Sequence, residues 1–159
     1  FMAEGANQVW GDALARGNAK RDSGRPPLDV YAGGSVAIGE GLESYRDMAR
    51  PGIALYVGGM GAKEKNFYNQ VFRKYGYEEE AEKIQDLYLE GRKSEAEAAI
   101  PSSYIEATSL VGPDAFVAER LQAFKENGVT SLNVSFLGTT SKERIENCDK
   151  LSNLIAKAL

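Results

Sequence analysis

The sequence predicts an α/β fold whose parallel sheet is left unfinished by this chain alone. Two segments rich in β-branched and apolar residues, Leu28–Ile38 and Val129–Gly138, are separated by helical patterns and not by a hairpin turn. The order of elements reads helix, strand, long helical stretch, helix, strand, helix. Two parallel strands cannot bury both faces of a sheet or close it, so further strands are expected from elsewhere.

Each element has its own signature. Ala6–Lys20 carries Val9, Trp10, Ala13 and Leu14 at helical spacing, and Arg21–Pro27 is a loop by its Gly, Ser and Pro content. In the first strand Leu28–Ala32 and Ser35–Ile38 flank Gly33-Gly34, which predicts a bulge or a bend. Glu43–Arg50 reads as a helix, with Pro51 starting or kinking the next segment. The apolar run Ile53–Val57 leads into Gly58–Gly61. Helical spacing resumes in Asn66–Tyr75, Glu79–Glu90 and Lys93–Ile100, the last closed by Pro101. Gly112-Pro113-Asp114 opens a helix bearing Val117, Leu121 and Phe124, and Asn127-Gly128 ends it. Thr140 and Glu143 make a capping box for a terminal helix with Ile145, Cys148, Leu151 and Ile155 on its apolar face. No repeat, low-complexity tract or linker interrupts the chain, so residues 1–159 are read as one unit.

Composition narrows the chemistry. A net charge of −4 without a dense Lys/Arg cluster argues against a nucleic-acid partner. No apolar run approaches the roughly 20 residues a bilayer span needs, so no membrane partner is expected. The chain has no histidine, which removes Ser-His-Asp and Cys-His catalysis and His-ligated zinc. Its one cysteine, Cys148, allows no intrachain disulfide and is expected to be a small buried or half-buried side chain. No calcium-type carboxylate loop is visible, so no metal site is assigned. The sparse cysteine usage suggests a cytoplasmic setting. The opening FMAEGANQVWGDALARG lacks the basic and apolar regions of a signal peptide. A chain that begins Phe1-Met2 is expected to belong to something longer.

The segment SLVGPDAFVAERLQAFKENGVTSLNV, Ser109–Val134, resembles the last α/β unit of luciferase-like monooxygenases, where a G-P turn opens the seventh helix and G-V leads into the eighth strand. ARPGIALYVGGMGAKEKNFYNQV (Ala49–Val71) and AEKIQDLYLEGRKSEAEAAIP (Ala81–Pro101) look like the insertion of the coenzyme F(420)-dependent oxidoreductase branch. The opening NQVWGDALARGNAKRD and the strand LDVYAGGSVAIG fit the same branch. The resemblance implies the C-terminal part of a (β/α)8 TIM barrel: about strands 7–8, helices 6–8, and a helical insertion over 40–107 after strand 7. It also implies hydride transfer between deazaflavin coenzyme F(420) and a small organic substrate, with FMN as the alternative cofactor, in a protein that is often a dimer. Most of the cofactor cradle and the acid/base groups belong to strands absent from this chain. No catalytic residue is therefore assigned, and the isolated chain is expected to be inactive.

Sites in such barrels form at the C-terminal ends of the strands, which points to the stretch GGMGAKEKNFYN after strand 7. Gly58 and Gly59 would let backbone approach a ligand, and Lys63 and Lys65 would meet phosphate or carboxylate groups. Tyr56, Phe67 and Tyr68 would wall an apolar pocket. With Met60, and with Gly33 and Gly34 at the first strand, these are the cofactor-binding or substrate-side candidates. The alternative for the stretch is a helix hinge with solvated lysines and core aromatics; for Gly33-Gly34 it is a bulge serving packing. At Gly112-Pro113 the helix start is a poor anion site, because Pro113 lacks an N–H and Asp114 repels anions. A function of another class is a non-catalytic module that self-associates through exposed strand edges, and a homo-oligomer is expected on either reading.

Overall fold

The computed structural model describes residues 3–158. It is an α/β structure in which β1 (Tyr31–Ile38), β2 (Leu110–Gly112) and β3 (Ser131–Phe136) form one parallel sheet in the order β2-β1-β3. β1 pairs with β3 residue for residue from Tyr31↔Ser131 to Val36↔Phe136. Only its last three residues pair with β2, from Val36↔Leu110 to Ile38↔Gly112. Two strands were expected and a third is found. β2 is too short to show alternation, and it lies directly before the proline that announces the next helix.

The bulge expected at Gly33-Gly34 is absent, since the β1–β3 register runs through both glycines without a break. Both instead adopt positive φ, +145° and +142°. A Cβ on Gly33 would lie 2.1 Å from the Asn133 carbonyl oxygen. Strand pairing itself therefore demands glycine there.

The chain packs as two compact units: residues up to Tyr45 together with those from Ala107 onward, and Arg46–Glu106. In the first, Ala32, Val36 and Ile38 of β1 share a core with Leu110, Val117, Leu121, Phe124 and Leu151. Its helices are α1 (Ala6–Asn18), α7 (Asp114–Glu126) and α8 (Ser141–Ala158). α7 ends as expected, at Asn127 followed by Gly128 with φ +81°. The capping box of α8 also forms: the Glu143 N–H donates to Thr140 Oγ1 at 3.2 Å, and the Glu143 carboxylate accepts from the Thr139 N–H at 2.6 Å.

The apolar face expected of α8 is half wrong. Leu151 is buried and Ile155 packs against the core, but Ile145 is 61% exposed and Cys148 is exposed too. Asn147 and Lys150 take the sheet-facing positions one turn before Leu151 and Leu154, because they bond to strand ends. At 3.6 residues per turn this rotates Ile145 and Cys148 towards solvent.

The second unit is helical. A 3₁₀ helix (Glu43–Ala49) leads into it, over the stretch expected to be helical. There follow α2 (Arg50–Ala54), a π-helical turn (Leu55–Gly59), a 3₁₀ turn (Lys63–Lys65), α3 (Phe67–Lys74), α4 (Glu78–Leu89), α5 (Lys93–Ala98) and α6 (Ser102–Ala107). Ala54, Val57, Phe72, Ala81, Ile84, Ile100 and Ile105 are buried together at its centre. Arg50 ties α2 to the end of α5 by donating to the Glu97 and Ile100 carbonyls at 3.0 and 2.7 Å. The two ends of the unit meet in an Arg46–Glu106 ion pair of 3.5 Å. No helix among the described residues is long and apolar enough to cross a membrane.

Candidate functional site

In parallel α/β sheets ligands gather at the carboxyl ends of the strands, and here α8 organises those ends. Asn147 Oδ1 accepts from the Ile38 N–H at 2.8 Å, and its Nδ2 donates to the Leu137 carbonyl at 3.0 Å. Lys150 Nζ donates to the Ile38 carbonyl at 2.7 Å. One amide side chain thus fixes where both β1 and β3 stop. Beside it lies a cleft of about 300 Å³ lined by Ile38, Leu42, Tyr45, Leu137, Glu143 and Lys150. A larger groove of about 580 Å³, lined by Ala6, Trp10, Leu14, Val30 and Asn127, opens near the start of β1, away from the carboxyl ends. Neither Asn147 nor Lys150 was singled out from the sequence. Nothing local marks them, because the side of α8 that meets the sheet is set by the distant ends of β1 and β3.

Neither helix start at these ends is open to an anion. The Glu143 carboxylate already occupies the first turn of α8, accepting from the Thr139 and Thr140 N–H groups at 2.6 and 3.3 Å and from Thr139 Oγ1 at 3.0 Å. Those bonds hold its carboxyl below the ordinary glutamate value. At α7 Pro113 supplies no N–H, and Asp114 stands in the first turn. Gly33 and Gly34 lie inside the sheet: the space beside Gly33 belongs to β3, and beside Gly34 the nearest atom to a Cβ would be the Thr108 carbonyl oxygen at 3.6 Å.

The remaining candidates all lie in the helical unit. A π-helical turn makes i→i+5 bonds and disturbs the regular ladder. Two buried asparagines meet the carbonyls at this one. Asn66, 1% exposed, donates to the Tyr56 and Val57 carbonyls at 2.9 and 3.0 Å and caps α3 by accepting from the Asn69 N–H at 3.1 Å. Asn69, 3% exposed, donates to the Val57 and Ala81 carbonyls at 3.1 and 2.8 Å, and Arg73 donates to its Oδ1 at 2.8 Å. Both escaped the sequence reading, although an Asn immediately before a helix is a capping signal.

A Cβ on Gly58 would fall 2.5 Å from the Tyr88 Cβ, and one on Gly59 2.4 Å from Tyr88 Cε1. The close backbone approach at these two glycines is thus made by Tyr88 of α4. The rings of Tyr56, Tyr68 and Phe67 come together, with centroids 4.7 Å apart for Tyr56–Tyr68 and 5.5 Å for Phe67–Tyr68. They are exposed, as is Met60, and none lies in the core. Lys63 pairs with Asp86, whose hydrogen bond and charge raise the lysine pKa. Lys65 is exposed on the same 3₁₀ turn. Among the described residues no group of three or more Cys, Asp or Glu side chains could hold a metal ion.

Comparison with known proteins bears on the same residues. The family model for luciferase-like monooxygenases matches residues 2–131. A Mycobacterium tuberculosis protein with the name "Putative coenzyme F(420)-dependent oxidoreductase" is 31% identical over 134 residues, which is 84% of this chain and 38% of that protein. The chain therefore spans well under half the length of that relative. The matched region runs from the first helix to the start of β3 and takes in the whole helical unit, and on this ground the chain belongs to the luciferase-like monooxygenase family.

Proposed function

We propose that this chain forms the C-terminal part of a coenzyme F(420)-dependent oxidoreductase that moves a hydride to or from a small organic substrate. The observation that carries the proposal is the 31% identity to a protein named for that coenzyme, which extends through the helical unit as well as the strands. On this reading β1 and β3 are the seventh and eighth strands of a (β/α)8 barrel. The Arg46–Glu106 unit is then the insertion that follows the seventh strand in that branch. Bound deazaflavin supplies or accepts the hydride, while protein groups orient and enclose it.

This chain's own residues do not fit the phosphate end of such a cofactor. Glu143 fills one helix start, and Pro113 with Asp114 spoils the other. The phosphate end of the cofactor, and most of its cradle, are accordingly assigned to polypeptide outside this chain. FMN is the alternative occupant. To test the proposal, a longer polypeptide containing this sequence is titrated with F(420) and with FMN, and F(420) oxidation or reduction is followed by absorbance. Saturable F(420) binding with turnover, and none from the 159-residue chain, supports it. Turnover by the 159-residue chain alone, or binding of FMN only, overturns it.

The sheet favours a second reading. β3 has no second neighbour among the described residues, and an open parallel edge can pair with another copy. A chain that sediments as a monomer at high concentration removes the self-associating module.

A further inference from the structure

Three aromatic rings on a rigid platform are left exposed by the helical unit. Tyr56, Phe67 and Tyr68 are 45%, 57% and 43% exposed, and Met60, one turn after Tyr56, is 43% exposed. Side chains of this kind gain most by leaving water. The backbone under them is firmly held. Asn66 and Asn69 place three amide hydrogen bonds on the Tyr56 and Val57 carbonyls, the two on Val57 buried, and Tyr88 closes against Gly58 and Gly59. The cluster is therefore preorganised, which lowers the ordering cost of binding.

Its charge is asymmetric as well. Lys63 is neutralised by Asp86, while the Lys65 ammonium makes no ion pair or hydrogen bond among the described residues. Glu64 stands between them in sequence, but three residues per turn set it about a third of a turn away from Lys65. An exposed apolar cluster with one uncompensated cation two residues before Phe67 in the chain complements a flat apolar body that ends in an anion.

We propose that Tyr56, Met60, Phe67 and Tyr68, with Lys65, form a binding site for a planar apolar molecule carrying a carboxylate or similar anionic group, and that this is the substrate class of the enzyme. As a substrate assignment it rests on the proposal that the Arg46–Glu106 unit is the insertion of such an oxidoreductase.

The test uses the full 159-residue chain and naphthoate as probe, with naphthylmethylammonium as its cationic counterpart, read by backbone amide shifts. Naphthoate is expected to give saturable shifts at Tyr56, Met60, Phe67 and Tyr68, and the cation weaker ones. Lys65→Glu is expected to weaken naphthoate binding about two- to fivefold, as loss of one exposed charge pair does. Phe67→Ser should weaken both probes alike. An unchanged circular dichroism spectrum shows that these surface variants remain folded. Equal affinity for the two probes, an unaffected Lys65→Glu variant, or shifts elsewhere only would each overturn the site. So would concentration-dependent shifts at these amides without any probe, which would mean that a second copy covers the rings. Deazaflavin turnover by the longer polypeptide is measured separately. Turnover without naphthoate binding therefore sinks this site alone, and binding without turnover sinks the oxidoreductase proposal alone.

Discussion

Gly33 and Gly34 share nearly the same backbone conformation and differ in what surrounds them, so they separate two costs that usually come together. Alanine at Gly34 meets only the Thr108 carbonyl oxygen at 3.6 Å and suffers the positive φ alone, about 1–2 kcal/mol. Alanine at Gly33 adds a collision with β3 backbone at 2.1 Å, and the total should reach about 3 kcal/mol or more. Urea unfolding followed by Trp10, the single tryptophan and part of the same unit, measures the difference. Equal effects would mean that the sheet yields at Gly33. Asn66 offers a second contrast, because one side chain both caps α3 and donates to two carbonyls. Asn66→Ala should cost about 2–3 kcal/mol. Asn66→Asp keeps the cap acceptor but turns an oxygen towards those carbonyls, so it should not rescue stability in hydrogen-exchange or urea experiments. Residues of this kind are hard to find in a sequence. An asparagine reads as loop, and nothing local announces that it will be buried beneath a π-helical turn.

Among the elements, those with local punctuation were legible. α7 and α8 follow their proline, glycine and capping-box signals, since those signals act within a turn or two of the chain. β2 was not legible, because three residues gain strand conformation only from their partner β1. The exposed Cys148 escaped for a related reason: which side of α8 meets the sheet is decided by the distant backbone of Ile38 and Leu137.

Capping also predicts a response to acid. The Glu143 pKa is lowered in the folded chain, chiefly by the Thr139 hydroxyl and then by the Thr139 and Thr140 N–H groups. Its contribution is therefore present above the ordinary value of 4.5 and is lost as pH falls through the lower folded value. The start of α8 should fray in that acid range, seen as faster amide exchange near Ser141, and Glu143→Gln should abolish the pH dependence. At the alkaline end, Tyr104 packs against Phe72 and Tyr77 at 4.4 and 5.6 Å, and burial pushes its phenol up to about 12. An acid with a raised folded pKa holds its proton while the unfolded form loses it. Stability of the helical unit should thus fall between pH 10.0 and about 12, and Tyr104→Phe should flatten that loss in a pH-dependent urea series.

For the whole molecule, the sequence identified the α/β class and the family, because hydrophobic periodicity and family motifs are spread along the entire chain. Which candidate residues meet was not legible in the same way. The aromatic trio comes together only because the chain turns back between Tyr56 and Phe67, and two of the glycines placed beside it serve Tyr88 instead. The division into two units matters beyond this one protein. The side chains of Arg46 and Glu106, the two end residues of the 61-residue helical unit, meet in an ion pair of 3.5 Å. A segment with such neighbouring ends is a portable cassette. Evolution can exchange, enlarge or delete it without resetting the strand register of its host, and an engineer can graft it in the same way.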